Sequence, residues 1–140
     1  MPTVFTRILN GEIPGRFVWK DDDCFAILTI NPIRPGHVLV ISRREIDHWL
    51  DVPAELSRHL FDVAQTIGKA QMAAFRPSKV GLSIVGLEVR HVHLHVIPID
   101  GAQDMDFARA EKSPDPMALD ATASRLRDAL RAAGCAHVVG

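Results

Sequence analysis

The spacing of apolar side chains along this 140-residue chain switches between a helical and a strand-like period. Apolar residues three and four positions apart predict a helix, whereas alternation or short apolar runs predict a strand. Thr3 and the Asp115-Pro116 pair are typical helix starts, and Pro53 is placed in the first turn of the longest helical segment. The predicted helices cover residues 3–10, 51–75 and 117–133.

Short apolar blocks bounded by Pro, Gly or Asp residues lie between these helices. The first two blocks flank Asp21-Asp22-Asp23, which predicts a hairpin turn. The order of elements predicts an α+β fold in one domain, residues 1–140, with a five-stranded antiparallel sheet, a long helix and shorter terminal helices. The predicted strands cover residues 17–20, 24–30, 37–42, 80–85 and 89–98.

Composition narrows the classes of protein that this fold could serve. Hydrophobic residues make up 47% of the chain, which suffices for a packed core and argues against disorder. The formal net charge of −1 argues against a binder of nucleic acid or of membrane surfaces. Cys24 and Cys135 are far apart and do not suggest a disulfide framework. We see neither a signal peptide nor a run approaching the ~20 apolar residues of a membrane span, so we expect a cytoplasmic protein.

The most informative segment is the row of histidines at His91, His93 and His95, which alternate with apolar residues. In a strand, residues two apart share a face, so three imidazoles are expected on one face of the last predicted strand. Imidazole near neutral pH suits nucleophilic, acid–base or metal chemistry. The alternative is an ordinary solvated face, although such a face would more often carry Lys, Glu or Thr. His59 is predicted to lie on the exposed side of the long helix.

The alternation of histidine and apolar residues over 91–97 resembles the signature of the histidine triad family of nucleotide hydrolases and transferases. A second segment, 32–41, is similar to the family's Pro-x-x-x-Gly-His-x-Leu-Val-Ile pattern and contributes His37. Phe5, Ile8 and the stretch 11–14 are similar to the family's opening helix and turn. The resemblance covers about residues 3–100, and the C-terminal helix and tail, 101–140, lie beyond it.

The resemblance implies a fold of the histidine triad type and a hydrolase that needs neither a metal nor a cofactor. The implied substrates are purine nucleoside phosphoramidates or related nucleotides, attacked at the α-phosphate by His93 to give a covalent nucleotidyl-histidine that water resolves. His95 is implied to bond the phosphoryl oxygens or assist the leaving group. His91 and His37 are implied to complete the imidazole network. A symmetric homodimer is also implied, with the long helix and one sheet edge at the interface.

The same resemblance suggests an apolar pocket for the purine and its ribose, although these residues could equally be ordinary core. Thr29 stands where the family commonly has an Asp that accepts the ribose hydroxyls. Leu87 replaces a Gln, and Glu88 stands where a phosphate-contacting Ser or Thr is often found, so a carboxylate would face phosphate there. The pocket residues implied are Phe5, Ile8, Ile13, Leu28 and Ile30.

Some family members carry zinc at a site that begins with a Cys pair near the N-terminus. The matching stretch here, Val4–Arg7, has no cysteine, so no structural zinc is expected. Two alternatives to a hydrolase stay open. One is a degenerate member that binds nucleotide without useful turnover, which the Thr29 and Glu88 positions motivate. The other is a metalloprotein with a metal held by the triad histidines and His37.

Overall fold

The computed structural model describes residues 1–139, which form an antiparallel sheet and three α-helices. The helices are α1 (Val4–Leu9), α2 (Ala54–Phe75) and α3 (Pro116–Ala132). The strands are β1 (Arg16–Lys20), β2 (Cys24–Leu28), β3 (Val38–Ser42), β4 (Lys79–Ser83) and β5 (His93–Ile99). Short 3-10 turns lie at Trp49–Asp51, Ala102–Met105 and Phe107–Arg109. Within residues 1–139, no helix combines the length and the apolar character that a membrane crossing requires.

The sheet has the strand order β1-β2-β3-β5-β4, and every neighbouring pair is antiparallel. The predicted α+β class and the five-stranded antiparallel sheet are therefore confirmed. The crossover through α2 takes the chain from β3 to the edge strand β4, and β5 returns between the two. This return places the histidine-bearing strand next to β3, which follows directly after His37.

Strand alternation divides the sheet into two faces with different roles. One face packs against α2 and α3, with Ala26, Val40 and Leu94 in the main core. The other face carries a smaller apolar cluster, which includes Phe25 and Ile41 and is covered by α1. In β5 the same alternation puts the histidines on this second face. The site therefore forms away from the helices that make the main core.

Two predicted elements begin three or more residues too early, and each has a local cause. Helix α2 begins at Ala54 rather than at 51, because residues 49–51 form a separate 3-10 turn and Pro53 occupies the N-cap position. Strand β5 begins at His93 rather than at 89. The chain before it bonds outside the ladder, since the Val92 amide donates to the Ile46 carbonyl. His91 therefore precedes the strand and does not share its face by strand alternation.

Candidate active site

His93 is held so that one ring nitrogen is fixed as a donor. Its Nδ1 lies 2.7 Å from the backbone oxygen of His91, and a carbonyl oxygen can only accept. The proton of neutral His93 therefore sits on Nδ1, and Nε2 carries the lone pair. Among residues 1–139 no hydrogen bond to His93 Nε2 is formed. The ring is 6% exposed, so this lone pair is both preorganised and shielded.

His91, whose carbonyl accepts from His93, is fully buried and bonds to both the end of β3 and the start of α1. Its Nε2 donates to the backbone oxygen of Ser42 at the end of β3, at 2.5 Å. Its Nδ1 must then accept, and the Thr3 hydroxyl donates to it over 2.6 Å. Thr3 is also the N-cap of α1, and its amide donates to the Glu45 carboxylate. The start of α1 and the end of β3 thus fix the residue on which the His93 tautomer depends.

His37 and His95 form a second pair with the opposite polarity. The Ile33 amide donates to His37 Nδ1 at 3.1 Å, which places the proton of neutral His37 on Nε2. This Nε2 lies 2.9 Å from His95 Nδ1 and donates to it. His95 therefore carries its own proton on Nε2. His95 is only partly buried, and its ring lies 4.9 Å from that of His93 between centroids. The site offers a lone pair from one ring and an N–H from the next.

Burial keeps all four imidazoles neutral around pH 7. It lowers the pKa of His37 to about 4 and that of His95 to about 3, and the neighbouring His93 adds to both shifts. Burial also lowers the pKa values of His91 and His93, although hydrogen bonds to the carbonyls of Ser42 and His91, respectively, partly oppose the shift. Neutral rings are what the tautomers deduced above require, since a protonated imidazole has no lone pair.

Two phenylalanines from different ends of the site pack against these rings. The Phe5 ring from α1 meets His93 edge-on at 4.8 Å between centroids, and it also meets His91. The Phe107 ring, from the segment after β5, meets His95 edge-on at 4.7 Å. Phe5 was implied by the family resemblance, whereas Phe107 was not predicted, because it lies in an irregular polar stretch with no periodic signal. The apolar contacts explain why burial dominates the histidine pKa values.

The implied purine pocket is only partly assembled from the expected residues. Phe5 and Ile8 both belong to the apolar cluster on the histidine face. Ile13 is half-buried in the turn after α1, and Ile30 is 63% exposed. Leu28 packs in the main core beneath α2 and α3, on the opposite face of the sheet, so its assignment to the pocket is wrong. Strand alternation is the reason, because residue 28 shares a face with 24 and 26.

The departures from the family pattern lie at exposed or partly exposed positions. The Thr29 hydroxyl accepts from the Asn31 amide at 3.2 Å, so it is used within its own turn. Leu87 is 81% exposed, and Glu88 is also exposed. Solvent screens a carboxylate at such a position, which weakens its repulsion of a bound phosphate. Thr29, Leu87 and Glu88 take no part in the hydrogen bonds that set the histidine tautomers.

Strand β5 and the segments that lead into β3 and β5 bring the four histidines together. The HIT domain matches residues 10–102. The chain belongs to the histidine triad (HIT) family. It is 32% identical over 138 residues to an uncharacterized HIT-like protein of Mycobacterium tuberculosis, covering 93% of this chain and 94% of that protein. The family predicted from the histidine row and the His37 segment is therefore confirmed.

Solved structures of HIT proteins have the same fold. A zinc-bound histidine triad family protein from Mycobacterium smegmatis superposes with a TM-score of 0.80 at 26% identity, covering 98% of this chain and 99% of that one. A HIT family hydrolase from Legionella pneumophila gives a TM-score of 0.58 at 30% identity, covering 69% of this chain and 91% of that one.

The N-terminal residues of this chain do not fit the zinc site that some HIT proteins carry. Such a site begins with cysteine thiolates, and the stretch Val4–Arg7 offers none. The Thr6 hydroxyl instead donates to the Glu45 carboxylate at 3.0 Å. Together with the Thr3–His91 bond, this contact ties α1 to the segment after β3 and to the segment before β5.

Among residues 1–139, one cluster brings metal-ligating groups close together: Asp21, Cys24 and His59. The Asp21 carboxylate already accepts from Trp19 Nε1, from His59 Nε2 at 2.7 Å and from two backbone amides. Burial opposes ionisation of Asp21, but these hydrogen bonds outweigh it and hold its pKa below the usual range. Burial raises the pKa of the Cys24 thiol, which keeps it protonated. The cluster therefore ties the hairpin to α2, and His59, with a side chain that is 34% exposed, is bonded to it at the surface.

Proposed function

We propose that this HIT protein is a nucleotide hydrolase that acts at the α-phosphate of purine nucleoside phosphoramidates or related nucleotides through a covalent nucleotidyl-histidine. The observation that carries the proposal is the 2.7 Å bond from His93 Nδ1 to the His91 carbonyl. It leaves a neutral Nε2 lone pair for attack on phosphorus. A relative described as a HIT family hydrolase supports the reaction class.

In the first step, His93 Nε2 forms a bond to the α-phosphorus. The bond from phosphorus to the leaving nitrogen breaks, its electron pair goes to that nitrogen, and solvent supplies the proton. The N–H of His95 stabilises the negative charge that develops on the phosphoryl oxygens. Since His95 donates through Nε2 while its Nδ1 accepts from His37, the donor is fixed before the substrate arrives.

In the second step, water forms a bond to the phosphorus of the nucleotidyl-histidine and loses a proton to solvent. The bond from phosphorus to His93 Nε2 breaks, its electron pair returns to the nitrogen as the lone pair, and the nucleoside monophosphate leaves. The proton on His93 Nδ1 stays on that nitrogen, donated to the His91 carbonyl, through both steps. No proton needs to move within the histidine network itself.

The test is hydrolysis of a fluorogenic adenosine phosphoramidate by the full chain, with and without EDTA, combined with acid-quench mass spectrometry of the protein. We expect turnover that EDTA does not affect and a nucleotidyl adduct on His93. His93→Ala should abolish both, because no other ring in the site presents a free lone pair. His137→Ala is the matched control, since this histidine lies in the tail against Trp19.

Other results would point to the alternatives. Nucleotide binding without turnover or adduct would indicate a degenerate member that has kept only recognition. Turnover that disappears on chelation would indicate a metalloenzyme. Full turnover by His93→Ala would exclude the covalent step altogether.

We also propose a symmetric homodimer that uses α2 and the free edge of β4. The supporting observation is apolar exposure on these elements: Phe61 and Met72 on α2 are 55% and 42% exposed, and Leu82 on β4 is 43% exposed. Isolated apolar residues are common on surfaces, but the edge strand also presents unpaired backbone groups. Sedimentation equilibrium measures the mass directly, and a monomer at micromolar concentration would contradict the proposal.

A further inference from the structure

A buried glutamine on α2 lies behind the histidine site. Gln71 is fully buried, and burying an amide is unfavourable unless its polar atoms are paired. Its Nε2 donates to the Gly36 carbonyl and to the Val96 carbonyl, both at 2.8 Å. Gly36 directly precedes His37, and Val96 directly follows His95. One side-chain amide therefore joins the two backbone segments whose rings are hydrogen-bonded to each other.

The other end of this amide has no partner. Gln71 Oε1 is the buried side-chain polar atom that lacks a hydrogen bond among residues 1–139. An unpaired buried acceptor destabilises a fold, and an apolar residue of the same size would avoid that penalty. A glutamine at this position is therefore explained by what its Nε2 does.

Helix α2 holds the same loop through a second contact one turn further on. Phe75 packs against Gly36, where an added Cβ would lie 2.6 Å from the Phe75 ring. Gly36 has φ +92°, a conformation that favours glycine. Because Gln71 and Phe75 are four residues apart, they lie on one face of α2. Helix α2 thus holds Gly36, directly before His37, at its carbonyl through Gln71 and at its Cα through Phe75.

We infer that Gln71 is a positioning residue that keeps His37 and His95 at hydrogen-bonding distance, so that His95 presents its Nε2–H to the substrate. Gln71 acts through the backbone on either side of the pair, because within residues 1–139 its hydrogen bonds go to those two carbonyls and to neither ring. The effect of this role on activity rests on the hydrolase proposed above. The tautomer of His95, however, is a property of the protein without substrate.

The test compares the wild type with Gln71→Met, which keeps the volume and removes the donor, and with Gln65→Met, an exposed control on the same helix. The ring nitrogens of His37 and His95 are observed by ¹⁵N NMR in the absence of substrate. In the wild type we expect His95 to be protonated at Nε2. In Gln71→Met we expect a mixture of tautomers for His95, whereas Gln65→Met should match the wild type. An unchanged His95 tautomer in Gln71→Met would overturn the inference.

Kinetics with the adenosine phosphoramidate supply the second measurement. Gln71→Met should lower kcat by about tenfold or more with KM nearly unchanged, since small displacements of a preorganised donor are costly. In a His37→Ala background the same substitution should have little further effect, because both changes act through one contact. A full additional loss in that background would overturn the inference.

If Gln71→Met does not fold, Gln71→Glu takes its place. A protonated glutamic acid donates one hydrogen bond instead of two, so we expect the same changes in smaller degree. A wild-type protein without turnover would refute the proposed hydrolase, while the NMR result would still decide the role of Gln71.

Discussion

The two histidine pairs of the site are built from the same side chain but are anchored in opposite ways. His91 and His93 form the acceptor pair, in which both rings donate to backbone carbonyls. His37 and His95 form the donor pair, in which the Ile33 amide donates to the His37 ring. The first arrangement leaves a lone pair facing the site, and the second leaves an N–H. An imidazole becomes a nucleophile or a donor according to the backbone group behind it.

A fifth histidine, outside the site, shows what the site avoids. His59 bonds directly to the Asp21 carboxylate, whereas within residues 1–139 none of the four site histidines bonds to a carboxylate. A carboxylate partner favours the charged imidazole, and a charged imidazole cannot attack phosphorus. The Glu45 carboxylate bonds to Thr3, and it is Thr3 that bonds to His91. Neutral partners therefore distinguish the four site histidines from His59.

Removing the free N–H of the donor pair should have the largest effect on this comparison. We expect His95→Ala to lower kcat by about 10²- to 10³-fold, because it deletes a preorganised donor to the phosphoryl oxygens. The nucleophile is untouched, so the nucleotidyl adduct on His93 should still form slowly in single-turnover experiments. His137→Ala serves as the control. Equal loss in His95→Ala and His93→Ala, without any adduct in either, would erase the distinction between the two roles.

Lowering the pH should break the acceptor pair by protonating His93. Because burial lowers the pKa of His93 below its usual 6.5, the acid limb of log kcat/KM should lie below pH 6.5, with activity lost as the pH falls through that pKa. The pKa values of about 4 for His37 and about 3 for His95 should leave the donor pair intact over most of this range. An acid limb centred above pH 6.5 would contradict the neutral site.

The same shifts predict a pH dependence of stability. Unfolded histidines bind protons below about pH 6.5, whereas folded His37 and His95 do so only near 4 and 3. The free energy of unfolding should therefore fall as the pH drops from 6.5 towards 4, and His37→Ala should flatten the slope. Chemical denaturation at several pH values measures this dependence.

The smallest effect is expected from the remote end of the acceptor pair. Thr3→Val removes the hydroxyl that donates to His91 Nδ1 but leaves the Ser42 carbonyl in place. We expect a loss of about two- to fivefold in kcat, in line with one hydrogen bond, and recovery in Thr3→Ser. Thr66→Val is the matched control, since that hydroxyl bonds only within α2. Identical activity of Thr3→Val and Thr66→Val would show that His91 does not need Thr3.

Much of the fold could be predicted because the signals are local. Apolar period and caps place the three helices and five strands, and the Thr3 and Asp115 caps are formed as expected. Leu28 faces the main core by the strand alternation that it shares with Cys24 and Ala26, and its place in the pocket was implied only by the family resemblance. The start of β5, by contrast, is decided by a distant contact, since the Val92 amide donates to the Ile46 carbonyl. The bond from His59 to Asp21 likewise joins residues 38 positions apart. Local patterns carry no information about such partners.

The sequence by itself determined which residues could react. It placed His93 and His95 in alternation on one strand and His37 before another, and it indicated membership in the HIT family. Only the tertiary structure decided what each ring can do. The proton positions depend on Thr3, Ile33 and Ser42, which are brought to the rings by α1, by the turn before β3 and by the end of β3. A tautomer is set by a partner within hydrogen-bond distance, and that distance exists only after folding.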